Sequence, residues 1–92
     1  MKLPFQIDLK GKTAVITGAG GVLMSEFAKA LGACGANVAL LDIDYEAAEK
    51  AAKKIGENAV AVRCNCLDKA SVEEAKNAVN EAFGRVDILI NG

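Results

Sequence analysis

Four short apolar runs recur along the 92-residue chain, and the first three are each followed by a longer segment with a different periodicity. The runs cover residues 13–17, 37–42, 59–63 and 86–90. Short apolar runs bounded by turn residues predict buried strands, whereas apolar residues recurring every three or four positions predict amphipathic helices. Strands that alternate with helices in this way indicate the α/β class, with a parallel sheet covered by helices on both faces.

Three helices are predicted between these strands. The first spans 22–33 and is followed by Gly35, which suits a left-handed cap, and the second starts after Asp44 and is closed by Gly56. The third opens at Asp68 or at Ser71, and both starts stay open. The apolar positions expected to face the sheet are Leu23, Phe27, Ala28 and Leu31, then Ala47, Ala48, Ala51, Ala52 and Ile55, then Val72, Ala75, Val79, Ala82 and Phe83.

The connections predict a doubly wound sheet with strand order 3-2-1-4. Right-handed crossovers place the first two helices on one face, and a crossover back past the first strand places the third helix on the other face. The last strand is then left with an unpartnered outer edge, and one face carries a single helix. We therefore expect residues 1–92 to be the N-terminal half of one domain, an incomplete sheet whose open edge invites pairing with another chain.

Composition excludes several classes of function. Lys and Arg number 11 against 12 Asp and Glu, so the formal charge is -1 and no basic patch indicates nucleic-acid binding. No apolar stretch approaches the length of a membrane span. Three cysteines without a histidine lack the spacing of a zinc site, so we expect no metal centre and a cytoplasmic, reducing location.

One segment carries recognisable chemistry, the glycine-rich turn 17–21 between the first strand and the first helix. Glycines at such a turn let main-chain amides approach a phosphate, and the helix start adds partial positive charge. Asp42 ends the second strand at the distance where a carboxylate can accept hydrogen bonds from an adenosine ribose. Two plainer interpretations remain open: an ordinary tight turn, and an aspartate that only caps or bends the chain.

These residues together resemble the N-terminal part of a short-chain dehydrogenase/reductase, a family with a Rossmann-type dinucleotide-binding fold. The resemblance rests on Thr17-Gly18-Ala19-Gly20-Gly21, on Asp42, on Asn65-Cys66-Leu67-Asp68 and on Val86-Asp87-Ile88-Leu89-Ile90-Asn91. The family turn reads Thr-Gly, three residues, then Gly-x-Gly, and its fourth strand ends in Asn-Asn-Ala-Gly. Here Val22 and Met24 stand at the two later glycines, Asn65 replaces an aspartate, and Gly92 stands where the second asparagine belongs. The variant Gly-Gly-Val-Leu is similar to the fructuronate and D-mannonate oxidoreductase subgroup.

The resemblance implies a site for the adenosine and pyrophosphate side of NAD. Main-chain amides around Gly21 to Leu23 would face the pyrophosphate and Asp42 the adenine-side ribose. Asn65 and Cys66 would face the adenine ring, and Asn91 the strand-four end of the cleft. The implied contact residues are Gly18, Gly20, Gly21, Val22, Leu23, Asp42, Asn65, Cys66 and Asn91. NAD is expected over NADP because the Asp42 carboxylate would repel a 2'-phosphate and the nearest arginine along the chain is Arg63.

By the same resemblance the protein is an oxidoreductase that transfers hydride between NAD and an alcohol or ketone, with a sugar acid as one candidate substrate, and is a homo-oligomer when complete. The family's catalytic serine and Tyr-x-x-x-Lys pair lie in the later half of its longer chains. The only tyrosine here is Tyr45, with Glu49 at the lysine position, so we expect no catalytic residue and no activity in these 92 residues. Two alternatives stay open: a non-catalytic nucleotide-binding or interaction module, and a methyl-donor site built on the same turn.

Overall fold

The computed structural model describes residues 8–92, which form seven elements in strict strand-helix alternation. The strands are β1 (Thr13–Thr17), β2 (Asn37–Asp42), β3 (Ala59–Arg63) and β4 (Ile88–Ile90). The helices are α1 (Val22–Ala33), α2 (Tyr45–Ile55) and α3 (Lys69–Phe83). The predicted α/β class and the three helices are confirmed.

The four strands form one parallel sheet in the order β3-β2-β1-β4, as the connections predicted. Thr13 lies opposite Asn37 at the start of the β1–β2 ladder, and Ala14 lies opposite Ile88 on the other side of β1. The chain moves outward from β1 to β3 and then returns past β1 to β4. The strand order therefore reverses between β1 and β4, which is where α/β sheets open a crevice.

The fourth strand is shorter than the predicted span 86–90, because it begins at Ile88. Asp87 still bonds to β1: its amide donates to the Thr13 carbonyl at 2.9 Å, and its carboxylate accepts from the Thr13 amide at 2.9 Å. Since β1 itself begins at Thr13, Val86 has no strand residue to pair with and is half-exposed.

The core is divided by the sheet into two layers. Alternate β2 residues point to opposite faces: Val38 and Leu40 pack with α1 and α2, whereas Ala39 and Leu41 pack with α3. The first two helices thus share one face and the third covers the other, as predicted. Small alanines on the helices let the backbones lie close to the sheet.

Two helix faces differ from the prediction. On α1, Leu23 and Phe27 are exposed, and Met24 packs against the core beside the buried Ala28. The inner face is therefore turned by one residue, with Met24 taking the position expected for Leu23. On α3, Ala75 and Val79 are buried but Val72 and Ala82 are exposed, because this helix lies alone on its face and only its central line touches the sheet.

Among residues 8–92, no helix is both long enough and apolar enough to span a lipid bilayer.

Candidate functional site

The carboxyl ends of all four strands border a cleft of about 420 Å³, within the size range of small-molecule sites. Five of the nine predicted contact residues line it: Gly18, Asp42, Asn65, Cys66 and Asn91. The other four, Gly20, Gly21, Val22 and Leu23, form the adjoining turn and the start of α1. The topology thus gathers at one edge residues that are up to 73 positions apart along the chain (91 − 18).

The glycine turn is tied down by its own amides. The Ala19 amide donates to the Leu41 carbonyl at 3.1 Å, and the Gly21 amide donates to the Gly18 carbonyl at 3.1 Å. The Gly20 amide donates to Oδ2 of Asp42 at 2.9 Å. Residue 18 is a glycine because its φ is 65°, a conformation that residues with a side chain rarely adopt.

Gly20 lacks a side chain for a different reason, which is close packing against α2. A Cβ at this position would lie 2.6 Å from Cβ of Ala47 and 2.8 Å from Oδ2 of Asp42. The turn can therefore press against α2 and Asp42 only because residue 20 is glycine.

The start of α1 leaves main-chain donors available. Its N-cap, Gly21, has no side chain to cap the helix, and the first amide with an intrahelical acceptor is that of Ser25, on the Gly21 carbonyl at 2.9 Å. Within residues 8–92, the amides of Val22, Leu23 and Met24 have no acceptor. Unpaired amides and the positive end of the helix dipole together suit an anion. The Gly20 and Gly21 amides, in contrast, donate within the chain, to Asp42 and to the Gly18 carbonyl.

The side chains at the two variant glycine positions do not line the cleft. Val22 is 85% exposed, and Met24 is directed into the core. Neither side chain therefore narrows the cleft at the strand ends.

Asp42 joins the turn to the cleft. Besides the Gly20 amide on Oδ2, it accepts the Asp44 amide on Oδ1 at 3.0 Å. It is thus a turn aspartate, one of the two roles left open, but a carboxylate offers about four acceptor positions and Asp42 also lines the cleft. The remaining acceptor capacity can receive hydroxyl donors such as those of a ribose.

Arg63 is nearer to Asp42 than the sequence suggested. The two residues are paired across β2 and β3. Among the described residues Arg63 makes no ion pair with Asp42 and does not line the cleft. A positive side chain is nonetheless available beside the carboxylate, on the neighbouring strand.

Asn65 and Cys66 lie in a tight turn that follows β3. The Asn65 amide donates to Oγ of Ser71 at 2.9 Å, and Oδ1 of Asn65 accepts from the Leu67 amide at 3.1 Å. Asp68 is the cap of α3, accepting from the Ala70 amide, so Ser71 serves the turn and not the helix start. This arrangement leaves Cys66 exposed at the cleft.

Cys64, two residues earlier, is buried. Burial raises the pKa of its thiol, and the neighbouring Cys66 raises that pKa further. Among the described residues no group of three or more His, Cys, Asp or Glu side chains is placed to hold a metal ion.

Thr17 connects the ends of β1 and β4. Its hydroxyl donates to Oδ1 of Asn91 at 3.4 Å and accepts from the Gly92 amide at 3.1 Å. These contacts hold Asn91, which follows β4, at the cleft. The Thr17 hydroxyl and the Gly92 amide were not among the predicted site residues, since their role depends on β4 pairing with β1.

Tyr45 lies outside the cleft. It borders a separate groove with Glu49 and Lys53, beside α2 and β3. A hydrogen bond to Glu49 raises the pKa of the Tyr45 phenol, the direction opposite to that of an activated tyrosine. Its position and chemistry both fit a surface aromatic.

Comparison with known proteins identifies what this arrangement is similar to. The sequence model of the short-chain dehydrogenase family matches residues 12–92. An uncharacterized oxidoreductase of Haemophilus influenzae is 45% identical over 95 aligned positions, covering 100% of this chain and 33% of that protein. D-threitol dehydrogenase of Mycolicibacterium smegmatis is 38% identical, covering 99% of this chain and 36% of the relative.

Two solved structures share the fold. A Haemophilus protein proposed to be a D-mannonate oxidoreductase, with bound NAD, superimposes with a TM-score of 0.87 at 45% identity, covering 90% of this chain and 31% of that one. A 3-ketoacyl-(acyl-carrier-protein) reductase of Brucella melitensis, complexed with NADH, gives 0.87 at 41% identity, with 89% and 34% covered. The chain thus spans about a third of the length of the proteins that it matches.

Proposed function

The chain belongs to the short-chain dehydrogenase family, and we propose that its protein transfers hydride between NAD and an alcohol or ketone, with residues 8–92 holding the adenosine and pyrophosphate side of the cofactor. The observation that carries the proposal is the joint position of two groups. The unpaired amides at the start of α1 and the carboxylate of Asp42 flank the same glycine turn.

The cofactor fits the chemistry of these groups. A pyrophosphate needs donors and positive potential, which the amides of Val22 and Leu23 supply at the helix start. A ribose diol needs acceptors, which Asp42 supplies while it stays anchored by the Gly20 amide. Asn65, Cys66 and Asn91 complete the cleft, with the first two beside the adenine ring. When bound, the cofactor would supply a nicotinamide that accepts hydride from an alcohol as NAD or gives hydride to a ketone as NADH, and the chain's own residues would bind and orient its adenosine end.

NAD is proposed over NADP on the charge of Asp42. A 2'-phosphate placed at the same ribose would meet the carboxylate, and repulsion between like charges in a partly desolvated cleft costs binding energy. Arg63, paired with Asp42 across the strands, carries a positive charge that would partly offset this repulsion.

A secondary alcohol of a sugar acid or a polyol is the proposed substrate. The support is the Gly-Gly-Val-Leu turn together with similarity to a protein proposed to act on D-mannonate and to a D-threitol dehydrogenase. The side chains that select a substrate and those that move its proton are assigned to the part of the domain that these 92 residues do not include, so we expect the 92 residues alone to be inactive.

We further propose a cytoplasmic location and a homo-oligomeric protein with no nucleic-acid or membrane partner. The support for the first is chemical: Cys34, Cys64 and Cys66 are all free thiols, the usual state in a reducing compartment.

Calorimetric titration of the full chain with NAD, NADP and ADP tests the proposal. We expect NAD and ADP to bind with affinities within about tenfold of each other, since both carry the adenosine and pyrophosphate groups, and NADP to bind at least about tenfold more weakly. No binding of NAD or ADP would contradict the proposal and favour an interaction module, and preferential binding of S-adenosylmethionine would favour a methyl-donor site.

Two substitutions at position 42 separate its roles. Asp42→Asn keeps an oxygen that can accept the Gly20 amide but removes the charge, so we expect the NAD to NADP preference to fall to within about threefold. Asp42→Ala also removes the acceptor for the turn and is expected to weaken both cofactors. Arg63→Ala is the matched control, which should leave NAD binding unchanged. An undiminished NAD preference in Asp42→Asn would remove the basis for assigning NAD.

A further inference from the structure

We infer that Met24 and Gly92 form a size-matched pair in which a large side chain on α1 occupies the space that any side chain at position 92 would need, so that Met24 positions the end of β4 at the cleft. The packing of Met24 against Gly92 stands by itself, whereas its effect on cofactor binding rests on the proposed function. Neither residue was assigned a binding role by the sequence motifs.

The contact distances define the pair. A Cβ on residue 92 would lie 2.6 Å from Cγ of Met24, 3.0 Å from its Sδ and 2.7 Å from the carbonyl oxygen of Thr17. Such separations are well inside ordinary van der Waals contact, which for carbon atoms is optimal at about 3.5–4.0 Å. The Thr17 oxygen belongs to the main chain of β1, which pairs with a strand on each side, so the overlap is relieved more easily on the side of the flexible Met24 side chain. Residue 92 can therefore carry a side chain only if it turns into the space now filled by Met24.

The main chain at Gly92 is held in place on its other sides. Its amide donates to Oγ1 of Thr17 at 3.1 Å, and its backbone passes about 3.7 Å from where a Cβ on Gly18 would stand. Gly92 is thus held between the glycine turn and α1. Simple withdrawal of residue 92 would break the Thr17 hydrogen bond.

The Met24 side chain is held in place by the apolar core on the side opposite to Gly92. It packs against the apolar cluster that contains Ile16 and Ala28, and Ile90 of β4 packs against the same cluster. An unbranched thioether side chain can fill an irregular gap of this kind. Met24 therefore fills the space between the core and the main chain of residue 92.

Compared with the motifs that the sequence resembles, the large and the small side chain have changed places between positions 24 and 92. Those motifs have a glycine at the position of Met24 and an asparagine at the position of Gly92, a small residue on the helix and a large one on the strand. Here the helix residue is large and the strand residue has no side chain. The two departures therefore meet at a single contact in this structure.

The consequence for the cleft follows from the position of residue 92. Gly92 and the adjacent Asn91 both line the cleft, and both bond to the Thr17 hydroxyl. A displaced residue 92 would disturb these bonds and the wall of the cleft next to the turn. Met24 is accordingly a positioning residue, acting through Gly92 and not by touching the cofactor.

A double-mutant cycle in the full chain, read by the melting temperature without ligand, tests the pairing. Gly92→Ala is expected to lower the Tm by at least about 4 °C through overpacking. In the Met24→Ala background the same substitution should lower it by less than about 2 °C, because the cavity left by Met24 lets residue 92 turn the new methyl group away from the Thr17 carbonyl oxygen. Phe27→Ala, which truncates a half-exposed side chain of the same helix, is the control and should combine additively with Gly92→Ala.

Equal effects of Gly92→Ala with and without Met24 would overturn the inference. If Gly92→Ala fails to fold, recovery of a cooperative melt in Met24→Ala/Gly92→Ala supports the pair, and failure of the double variant contradicts it.

Titration with ADP distinguishes a positioning role from a purely structural one, because loss of packing alone would lower the stability without changing the ADP affinity. We expect Gly92→Ala to weaken ADP binding at least about fivefold, and the double variant to return within about twofold of Met24→Ala alone. ADP affinity that ignores Gly92→Ala would refute the positioning role. If the unaltered chain binds no ADP, the proposed function fails while the melting cycle still decides the pair.

Discussion

At the scale of single residues, glycines of the turn serve different physical needs. Gly18 is required for its positive φ. Gly20 is required because a side chain there would overlap Ala47 of α2. Gly21 has neither constraint, since a Cβ there would only approach the Gly18 carbonyl to 3.4 Å and its φ is -72°. Adjacent glycines in the same motif are thus not equivalent.

Alanine substitutions at positions 20 and 21 should separate these needs. We expect Gly20→Ala to cost about 1–3 kcal/mol, because its methyl group would overlap Ala47 and press on the carboxylate that holds the turn. Gly21→Ala is expected to stay within about 0.5 kcal/mol of the unaltered chain. Urea denaturation of both variants measures the difference. Similar stabilities would show that the turn does not press on α2.

At the scale of elements, α1 begins unlike the other two helices. Asp44 caps α2 by accepting the Ala47 amide at 3.2 Å, and Asp68 caps α3 by accepting the Ala70 amide at 3.0 Å. The N-cap of α1 is a glycine without a capping side chain, in the extended conformation typical of that position. Among the described residues, the start of α1 leaves three amides without an acceptor, whereas at α2 and at α3 a capping aspartate accepts one of the first amides.

Supplying a cap to α1 should move stability and binding in opposite directions. Gly21→Asp would place a carboxylate on the amides of α1, raising the free energy of unfolding by about 0.5–1 kcal/mol relative to Gly21→Ala. The same carboxylate would occupy the phosphate donors and repel the anion, so ADP affinity should fall at least about tenfold. Thermal melts and calorimetry on the two variants measure both effects. A variant that binds ADP as well as Gly21→Ala would show that these amides are not the phosphate site.

At the scale of the whole molecule, β4 is joined to β1 by contacts between residues near the two ends of the described chain. Asp87 joins β4 to β1 through both its amide and its carboxylate. Arg85 holds the same carboxylate at 2.6 Å and, with the Thr13 amide, lowers the pKa of Asp87 below its ordinary value of 3.8. The junction of β1 and β4, which also forms the cleft, therefore depends on an ionised side chain.

This dependence predicts an acid-sensitive contribution to stability. A carboxyl with a lower pKa in the folded state stabilises the fold above pH 3.8, and the contribution is lost as the pH falls through the folded-state pKa. Asp87→Asn should therefore lower the Tm at neutral pH, and its deficit should shrink as the pH falls from about 6 to about 3. The control Glu73→Gln removes an exposed charge from α3 and should show no such convergence. A deficit that is constant with pH would contradict the role of the Asp87 charge.

Much of the fold was predictable because strand and helix periodicities are local. The first three strands and α1 have the expected bounds, and the order 3-2-1-4 followed from the handedness of the connections. The exposed Leu23 and Val72 were assigned wrongly to inner faces, because a period of 3.6 defines an apolar stripe but not which edge of it meets the sheet. The short β4 depended on where β1 begins, which is information from another part of the chain.

The sequence alone determined the class of fold, the family, and the positions of the glycine turn and Asp42, because each depends on residue types at short spacing. Tertiary structure decided how those residues are used. It showed that Asp42 holds the Gly20 amide, that Arg63 lies on the strand beside Asp42, and that Met24 fills the space below Gly92. These are contacts between residues 21 to 68 positions apart, and such contacts exist only after packing has brought two elements to van der Waals distance.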